Sequence, residues 1–208
     1  MLVFLKANLA FLAVPKTGTT AVEMALKPRA DVIFARGRKH TTAARYHNKV
    51  APFLHDTFGT RPEAVAVLRD PVEQIRSWYR YRSGPRQTGT KVSTRGCSFD
   101  DFVLAVIADD PPDFAGIGSQ HSFLTSGSGT LLVTHLFAYE AQPAFRGFLS
   151  DRLDTPVNLK PKNVSPAAAA PLSPRVEQAL RAARAADFAL HDRLVATGGY
   201  IHTEIGTG

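Results

Sequence analysis

Short apolar runs alternate with amphipathic stretches over the first eighty residues of the chain. Apolar side chains dominate residues 8–14, 31–35 and 63–68, and each run ends at a segment rich in Pro, Gly or charged residues. Continuous apolar runs of this length are typical of strands that are buried on both faces of a sheet. We therefore predict three buried strands here, the first of which accounts for the apolar N-terminal stretch.

Each predicted strand is followed by a stretch with helical spacing. The pattern predicts helices over residues 19–27, from Thr41 or Thr42 to Phe58, and from Pro71 through residue 82. Pro at the first position of the third helix and Gly59 after the second are common boundary residues. Three successive strand–helix units predict an α/β fold with three layers (α/β/α), in which helices cover both faces of a mostly parallel sheet.

The rest of the chain is less regular. Residues 82–98 are polar and rich in Gly and Ser, which predicts a mobile surface loop. Further predicted elements are a helix over 99–108, a strand over 130–137, a short last strand over 156–159, and one C-terminal helix over 173–197. The residues of that helix that share an apolar face are Val176, Leu180, Ala183, Leu190 and Leu194. The length fits a single domain, residues 1–208.

The composition adds a positive charge to this picture. Lys and Arg number 25 against 18 Asp and Glu, so the formal net charge is +7, which raises the local concentration of anions such as nucleotides. Cys97 is the only cysteine, which excludes an intrachain disulfide and metal sites built on several thiolates. No apolar run approaches the roughly eighteen residues that span a bilayer. We expect a bacterial cytoplasmic protein.

The three predicted strands end in segments that carry cations or hydrogen-bond donors. These segments are Pro15–Thr20, Arg36–His40 and Arg69–Asp70. Ligands of open parallel sheets bind at the carboxyl ends of the strands. We therefore expect the three segments to converge on one site for a polyanion.

The first segment has the features of a phosphate-binding loop. It leads into a helix N-terminus, where free backbone N–H groups and the helix dipole favour an anion. Gly18 lets the backbone approach the ligand closely, and Thr19 and Thr20 add hydroxyl donors. The loop is not a Walker A motif, because Lys16 precedes the only glycine instead of following a second one. A plain strand-to-helix turn is the alternative.

Two blocks of the sequence resemble the PAPS-dependent sulfotransferases. PKTGTT at residues 15–20 looks like their 5′-phosphosulfate loop, and Arg69-Asp70-Pro71 with Ser77 resembles their 3′-phosphate motif, R-[DN]-P-x-x-x-x-x-S. Residues 39–43 are similar to the K-H-x-[ST]-A segment of bacterial, carbohydrate-type members. Residues 139–140 and 163–165 also fit this branch. The resemblance implies a P-loop NTPase-like sulfotransferase fold, PAPS as donor substrate and no metal.

The resemblance also implies roles for individual residues. The donor-binding residues would be Pro15, Lys16, Thr17, Gly18, Thr19 and Thr20 for the 5′-phosphosulfate, and Arg69 and Ser77 for the 3′-phosphate. Lys16 would also stabilise the charge that develops on the bridging oxygen. Lys160 and Lys162 lie near the stretch where cytosolic members bind the nucleotide, and their role stays open. The acceptor would be a hydroxyl group of a carbohydrate, and no nucleic acid partner is expected.

His40 is the predicted general base for the acceptor hydroxyl. A neutral imidazole accepts a proton near pH 7, and His40 closes the segment that follows the second predicted strand. The alternatives are His47, His55, His121 and, less directly, Asp70 and Glu140.

Two other classes of function remain open at this stage. A P-loop kinase-like phosphotransferase would bind ATP with magnesium, and the position of Lys16 argues against it. A non-catalytic basic domain would bind polyanions with a steep dependence on salt. The aromatic content is 9%, without an array of aromatic and basic residues suited to stacking single-stranded nucleic acid.

Overall fold

The computed structural model describes residues 1–160 and 170–205, so Lys162 and residues 163–165 lie outside the described part. The strands are β1 (Leu2–Phe4), β2 (Leu9–Phe11), β3 (Val32–Ile33), β4 (Glu63–Leu68), β5 (His135–Ala138) and β6 (Tyr200–His202). The α-helices are α1 (Thr19–Leu26), α2 (Ala43–Arg45), α3 (Ala51–Phe58), α4 (Pro71–Ser83), α5 (Phe99–Val106), α6 (Gln120–Leu124), α7 (Gln142–Arg152), α8 (Pro174–Ala183) and α9 (Ala185–Ala196).

The described strands form one mixed sheet in the order β3-β1-β2-β4-β5-β6. The pairs β2–β4 and β4–β5 are parallel, whereas β1–β2, β1–β3 and β5–β6 are antiparallel. The α/β class is confirmed, and the prediction of a mostly parallel sheet is wrong. Because β3 and β2 are both antiparallel to β1, the strands β2, β3, β4 and β5 still run in one direction and share a carboxyl edge.

The apolar N-terminal stretch forms a hairpin and not the single strand that its pattern predicts. Leu2 lies opposite Phe11 and Phe4 lies opposite Leu9. Asn8, with a φ of 48°, closes the turn by donating its N–H to the carbonyl of Leu5 at 3.0 Å. A short turn is enough for an antiparallel pair, whereas a parallel pair needs a long crossover. The hydrophobic pattern alone does not separate β1 from β2, because both strands are fully buried.

The far edge of the sheet also differs from the prediction. Residues 156–159 form no strand, and β5 begins at His135, five residues later than predicted. The last strand is β6, which follows Gly198 and Gly199. Their φ values of 75° and 87° are readily adopted only by glycine, and they return the chain from α9 antiparallel to β5.

Helices cover both faces of the sheet. On one face, Phe11 of β2 packs with Leu26 of α1 and Phe145 of α7. On the other, Ala10 packs in a cluster that includes residues of α3, α6 and α9. A third apolar cluster joins α4, α5 and α8. Among the helices of residues 1–160 and 170–205, none is long and apolar enough to cross a membrane.

Three predicted helices are confirmed as α1, α4 and α5, and a fourth contains a wider turn. Thr42 caps α2 by accepting a hydrogen bond from the N–H of Arg45 at 3.3 Å. Residues 46–50 then form a π-helical turn before α3 begins. Pro52 has no N–H, and its ring would clash with the carbonyl four residues earlier in a regular α-helix. The wider turn accommodates this proline.

The single helix predicted over 173–197 is two helices, because the chain bends at Arg184 (φ −115°, ψ 29°). Val176 and Leu180 of α8 pack in the cluster with α4 and α5, whereas Leu190 and Leu194 of α9 pack against the sheet. The apolar spacing is continuous across the bend. The sequence pattern therefore does not separate two helices that pack on different partners.

Candidate functional site

Pro15–Thr20 connects β2 to the N-terminus of α1, as predicted. Gly18, with a φ of 77°, is the residue that precedes the first turn of α1. The helix start has no side-chain hydrogen bond from its capping residue and no acidic residue in its first turn. Its first backbone N–H groups are thus available to an anion, and the dipole favours one.

The threonines of the loop have different environments. Thr17 is buried, and its hydroxyl donates to the carbonyl of Val14 at 2.9 Å. Thr17 therefore holds the loop in shape and offers a ligand its backbone rather than its hydroxyl hydrogen. Thr19 is buried and Thr20 half-buried in the first turn of α1.

Lys16 has a strained backbone and an aromatic environment. Its φ of 67° is uncommon for a residue with a Cβ, and such strain is often found at functional sites. Its Nζ lies 3.8 Å from the ring centroid of Tyr81 and 5.1 Å from that of Trp78, both on α4. Burial, with the nearby charges of Arg69 and Arg82, lowers the pKa of Lys16 to about 8.

Arg69 lies beside the loop at the end of β4. Its Nη1 donates to the carbonyl of Lys16 at 3.4 Å, and its guanidinium carbon lies 4.5 Å from the ring centroid of Tyr139. Nη2 is 3.7 Å from a carboxylate oxygen of Glu73. The Nε–H of Arg69 is buried and has no hydrogen-bond partner among the described residues. Arg69 therefore keeps a free donor at the edge of the phosphate loop.

Ser77 lies on the side of α4 that faces the loop. Gln74, one turn before it, donates from Nε2 to the carbonyl of Pro15 at 3.3 Å, and Tyr81, one turn after it, contacts Lys16. Residues three and four apart share a face of a helix. The hydroxyl of Ser77 makes no hydrogen bond within residues 1–160 and 170–205, so it is available at this face.

Gln120 of α6 fixes the backbone of Arg69. Its Oε1 accepts from the N–H of Arg69 at 3.0 Å, and its Nε2 donates to the carbonyl of Arg69 at 2.8 Å. Gln120 is buried, with 3% of its surface exposed. The two bonds satisfy the backbone N–H and C=O of Arg69, which follows the last residue of β4 and has no strand partner of its own.

His40 lies at the same edge of the sheet as the loop. Its Nδ1 is 2.6 Å from the carbonyl of Ala13, which can only accept, so Nδ1 carries the proton and Nε2 has a free lone pair. Burial lowers the pKa of His40 below its usual 6.5, and this keeps the ring neutral near pH 7. The neighbouring Lys39 forms an ion pair with Glu23 at 2.7 Å.

The alternative bases lie in other environments. His55 is exposed near the end of α3, toward the amino edge of the sheet, and is 3.3 Å from Asp56. His47 lies in the π-helical turn and His121 in α6. Lys160 is exposed.

Asp70 and Glu140 have structural contacts. Asp70 caps α4 by accepting from the N–H of Glu73 at 2.9 Å, and its own N–H donates to Glu140 at 3.3 Å. Glu140 lies 3.8 Å from Nε2 of His191, an ion-pair distance. This contact raises the pKa of His191, and the same contact helps lower that of Glu140 against its partial burial.

Sequence reasoning missed three side chains that shape the site, namely Gln74, Tyr81 and Gln120, and it noted Tyr139 only as fitting the sulfotransferase branch, without a role in the site. Tyr139 follows β5, and a Cβ added to Gly18 would lie 3.1 Å from its ring. A signal existed for two of them, since Gln74 and Tyr81 are spaced at i−3 and i+4 from Ser77. Gln120 comes from a distant helix, and no local pattern points to its bonds with Arg69.

The described residues thus bring the loop, Arg69, Ser77 and His40 to one edge of the sheet. Backbone N–H groups, an ammonium, a guanidinium and a hydroxyl can bind an anion with separated phosphates, and a neutral imidazole can accept a proton. No family model, curated protein or solved structure was found to match this chain.

Proposed function

We propose that the protein is a sulfotransferase with a P-loop-like fold that takes its sulfuryl group from PAPS. The observation that carries the proposal is the 3.4 Å hydrogen bond from Arg69 to the carbonyl of Lys16. It joins the two sequence blocks that resemble the phosphate-binding motifs of PAPS enzymes. A chance resemblance in two separate blocks would not require them to be in contact.

The 5′-phosphosulfate is assigned to residues 15–20 and the 3′-phosphate to Arg69 and Ser77. The start of α1 offers backbone N–H groups to the first group, and Lys16 can turn from its aromatic contacts to the bridging oxygen. The free Nε–H of Arg69 and the hydroxyl of Ser77 suit the second. Charge-assisted hydrogen bonds of this kind are the strong ones in proteins.

In the proposed reaction, the acceptor oxygen attacks the sulfur of PAPS. The new O–S bond forms as the bond from sulfur to the bridging phosphate oxygen breaks, which releases PAP and a sulfate ester. Nε2 of His40 takes the proton of the acceptor hydroxyl. Lys16 and the N–H groups of the loop stabilise the charge on the leaving phosphate.

Thermal unfolding with PAP, PAPS, ATP and AMP tests the donor. PAP at a hundredfold excess over its Kd should stabilise the protein by about 2.7 kcal/mol, which is about 5–10 °C for a chain of this size. A shift with ATP and magnesium but none with PAP would identify a phosphotransferase and sink the proposal.

Variants separate donor binding from catalysis. Arg69→Ala should weaken PAP about 10- to 100-fold, the value of a charged hydrogen bond, and should affect AMP much less because AMP lacks a 3′-phosphate. Arg86→Ala, an exposed arginine outside the site, is the control. His40→Ala should leave PAP binding unchanged and lower transfer about 10²- to 10⁴-fold. Equal losses of PAP and AMP in Arg69→Ala would contradict the 3′ assignment.

A further inference from the structure

A cavity of about 230 Å³ opens beside the phosphate loop. Its walls come from Pro15 of the loop, Gln74 of α4, Thr42 at the start of α2, and residues 117–120, 122 and 123 around α6. Thr42 is two residues from His40. The cavity therefore lies between the loop assigned to the donor and the segment that carries the assigned base.

None of the described side chains that line this cavity is charged. The lining therefore offers no charged side chain to an ionised ligand. An ionised group placed there would lose part of its hydration without gaining an oppositely charged partner, which is costly. The lining thus selects against acidic and basic ligands alike.

Three polar groups of the lining are free to bind a ligand. The hydroxyl of Thr42 accepts from Arg45 and keeps its own hydrogen, and Gln74 uses Nε2 on Pro15 and keeps Oε1. The hydroxyl of Ser122 makes no hydrogen bond in the described part of the chain. Donors and acceptors on several sides match a ligand with several hydroxyl groups.

The remaining polar side chains of the wall are already occupied. Ser119 donates to Asp187 at 2.8 Å and accepts from the N–H of Ser122, and both ends of the Gln120 amide bind Arg69. Phe123 and Ile117 add apolar surface. A sugar ring has the required combination, with hydroxyls at its edge and C–H groups on its faces.

The far wall of the cavity is held by a buried arginine. Arg82 donates to the carbonyls of Phe114 at 2.6 Å, Asp113 at 3.2 Å and Gly116 at 3.4 Å, directly before the lining residues Ile117 and Gly118.

The volume of the cavity is below the roughly 300–1,000 Å³ of sites for drug-sized ligands. A preformed cavity of this size suits one ring and not an extended chain.

We propose that this cavity binds the acceptor, and that the acceptor is an uncharged, polyhydroxylated ring, such as a neutral sugar unit. The inference rests on the proposed sulfotransferase function and narrows it. It replaces the broader expectation of any glycan, including an acidic one that the net charge of the chain would attract.

Binding and transfer with rings of matched size test the proposal. The probes are the methyl glycosides of glucose, galactose and mannose, with glucuronate and glucosamine as charged rings. Ligand-observed NMR on the PAP-loaded chain should detect at least one neutral glycoside. With PAPS, that ring should be sulfated with a kcat/KM at least 10-fold above that of either charged ring.

Substitutions at Ser122 locate the binding. Ser122→Trp fills the cavity from an exposed position and should raise the acceptor KM at least 10-fold while the Kd of PAP stays unchanged. Ser122→Lys should shift preference toward glucuronate. Thr57→Trp, at an exposed position of α3 away from the cavity, is the control and should change neither value.

The two proposals fail in different ways. If PAP does not bind, the proposed sulfotransferase function is wrong. If PAP binds but no neutral ring binds, or a charged ring is preferred, or Ser122→Trp leaves the acceptor KM unchanged, the donor assignment stands and the acceptor proposal is overturned.

Discussion

At the scale of single residues, the fold strongly changes the chemistry of Lys16. An exposed lysine keeps its charge to about pH 10, whereas burial near Arg69 and Arg82 lowers the pKa of Lys16 to about 8. The Nζ lies against the rings of Trp78 and Tyr81. Aromatic faces attract a cation, so the ammonium remains charged at neutral pH in a partly dehydrated site.

This environment predicts a pH dependence for donor binding. Lys16 is protonated below pH 8 and loses its proton above it, so the affinity for PAP should fall as the pH rises through about 8. The loss of one charged contact is worth about 10-fold or more in Kd. Lys16→Arg keeps its charge over the whole range.

Titration calorimetry between pH 6.5 and 9.5 checks this expectation. In Lys16→Arg the affinity for PAP should vary little above pH 8, even if it is lower overall. A wild-type Kd that is constant across pH 8, or an identical decline in the variant, would show that the charge of Lys16 does not contact the donor.

At the scale of elements, the site depends on contacts between segments that are distant in sequence. Gln74 connects α4 to the loop at Pro15, and Gln120 connects α6 to the end of β4 at Arg69. Both glutamines are buried, and buried amides are normally hydrogen-bonded. They set the separation between the two segments that are assigned to the two phosphates.

Gln120→Ala should therefore destabilise the protein and weaken the donor site together. The change leaves the partly buried N–H and C=O of Arg69 without these partners, which costs about 2–4 kcal/mol. The expected fall in Tm is about 5–15 °C. Gln178→Ala, at an exposed position of α8, is the matched control.

Calorimetric unfolding with and without PAP measures both effects. The stabilisation by PAP should be smaller in Gln120→Ala than in the control variant. A Tm within 1–2 °C of the wild type would mean that the two bonds to Arg69 contribute little.

Some elements of the fold could be predicted from the sequence and others could not. β4, α1 and the start of α4 follow from local signals: a continuous apolar run, a Gly before a helix, and Asp70-Pro71 at a helix start. The hairpin of β1 and β2 does not, because Lys6 and Asn8, the two polar residues of its turn, interrupt the apolar stretch only briefly. The bend at Arg184 is hidden for a similar reason, since an apolar face continues through it while its packing partner changes.

The residues of the site divide in the same way. The placement of Lys16, Arg69 and His40 was predictable because each lies in the segment that follows a predicted strand, and strand ends meet at one edge. The roles of Gln120 and Tyr139 were not predictable, because they depend on which distant segment packs beside these side chains. Local sequence patterns identify the charged and titratable side chains of the site. Only the fold identifies the side chains that contact and position them.

At the scale of the whole molecule, the two edges of the sheet have different chemistry. The carboxyl edge carries the candidate site with its free donors. Near the amino edge, Nε2 of His135 contacts Glu63 at 3.1 Å and Nδ1 contacts the hydroxyl of Tyr200 at 2.9 Å. Arg152 also pairs with Glu63 at 2.6 Å, and the His202 ring lies 5.2 Å from that of His135. The polar groups of His135, Glu63, Tyr200 and Arg152 thus contact one another, which fits a structural role.

The amino-edge cluster predicts that acid destabilises the fold. Burial lowers the pKa of His135 below 6.5, although Glu63 opposes the shift. The folded state then binds this proton less readily than the unfolded state, so stability is lost as the pH falls below about 6.5. Glu63, whose pKa is lowered by His135 and Arg152 against its own burial, adds a loss of the same sign at lower pH. One proton can contribute at most about 1.4 kcal/mol per pH unit.

Denaturant unfolding between pH 7.5 and 5 tests this predicted loss of stability. His135→Gln is the variant that keeps hydrogen-bonding groups but does not titrate. Its stability should decline less steeply with acid than that of the wild type, while its Kd for PAP at pH 7.5 stays unchanged because the donor site is at the opposite edge. His55→Gln, at an exposed position, should retain the wild-type slope. Equal slopes in all three proteins would place the acid sensitivity elsewhere. A loss of PAP binding in His135→Gln would instead mean that the two edges of the sheet are energetically coupled.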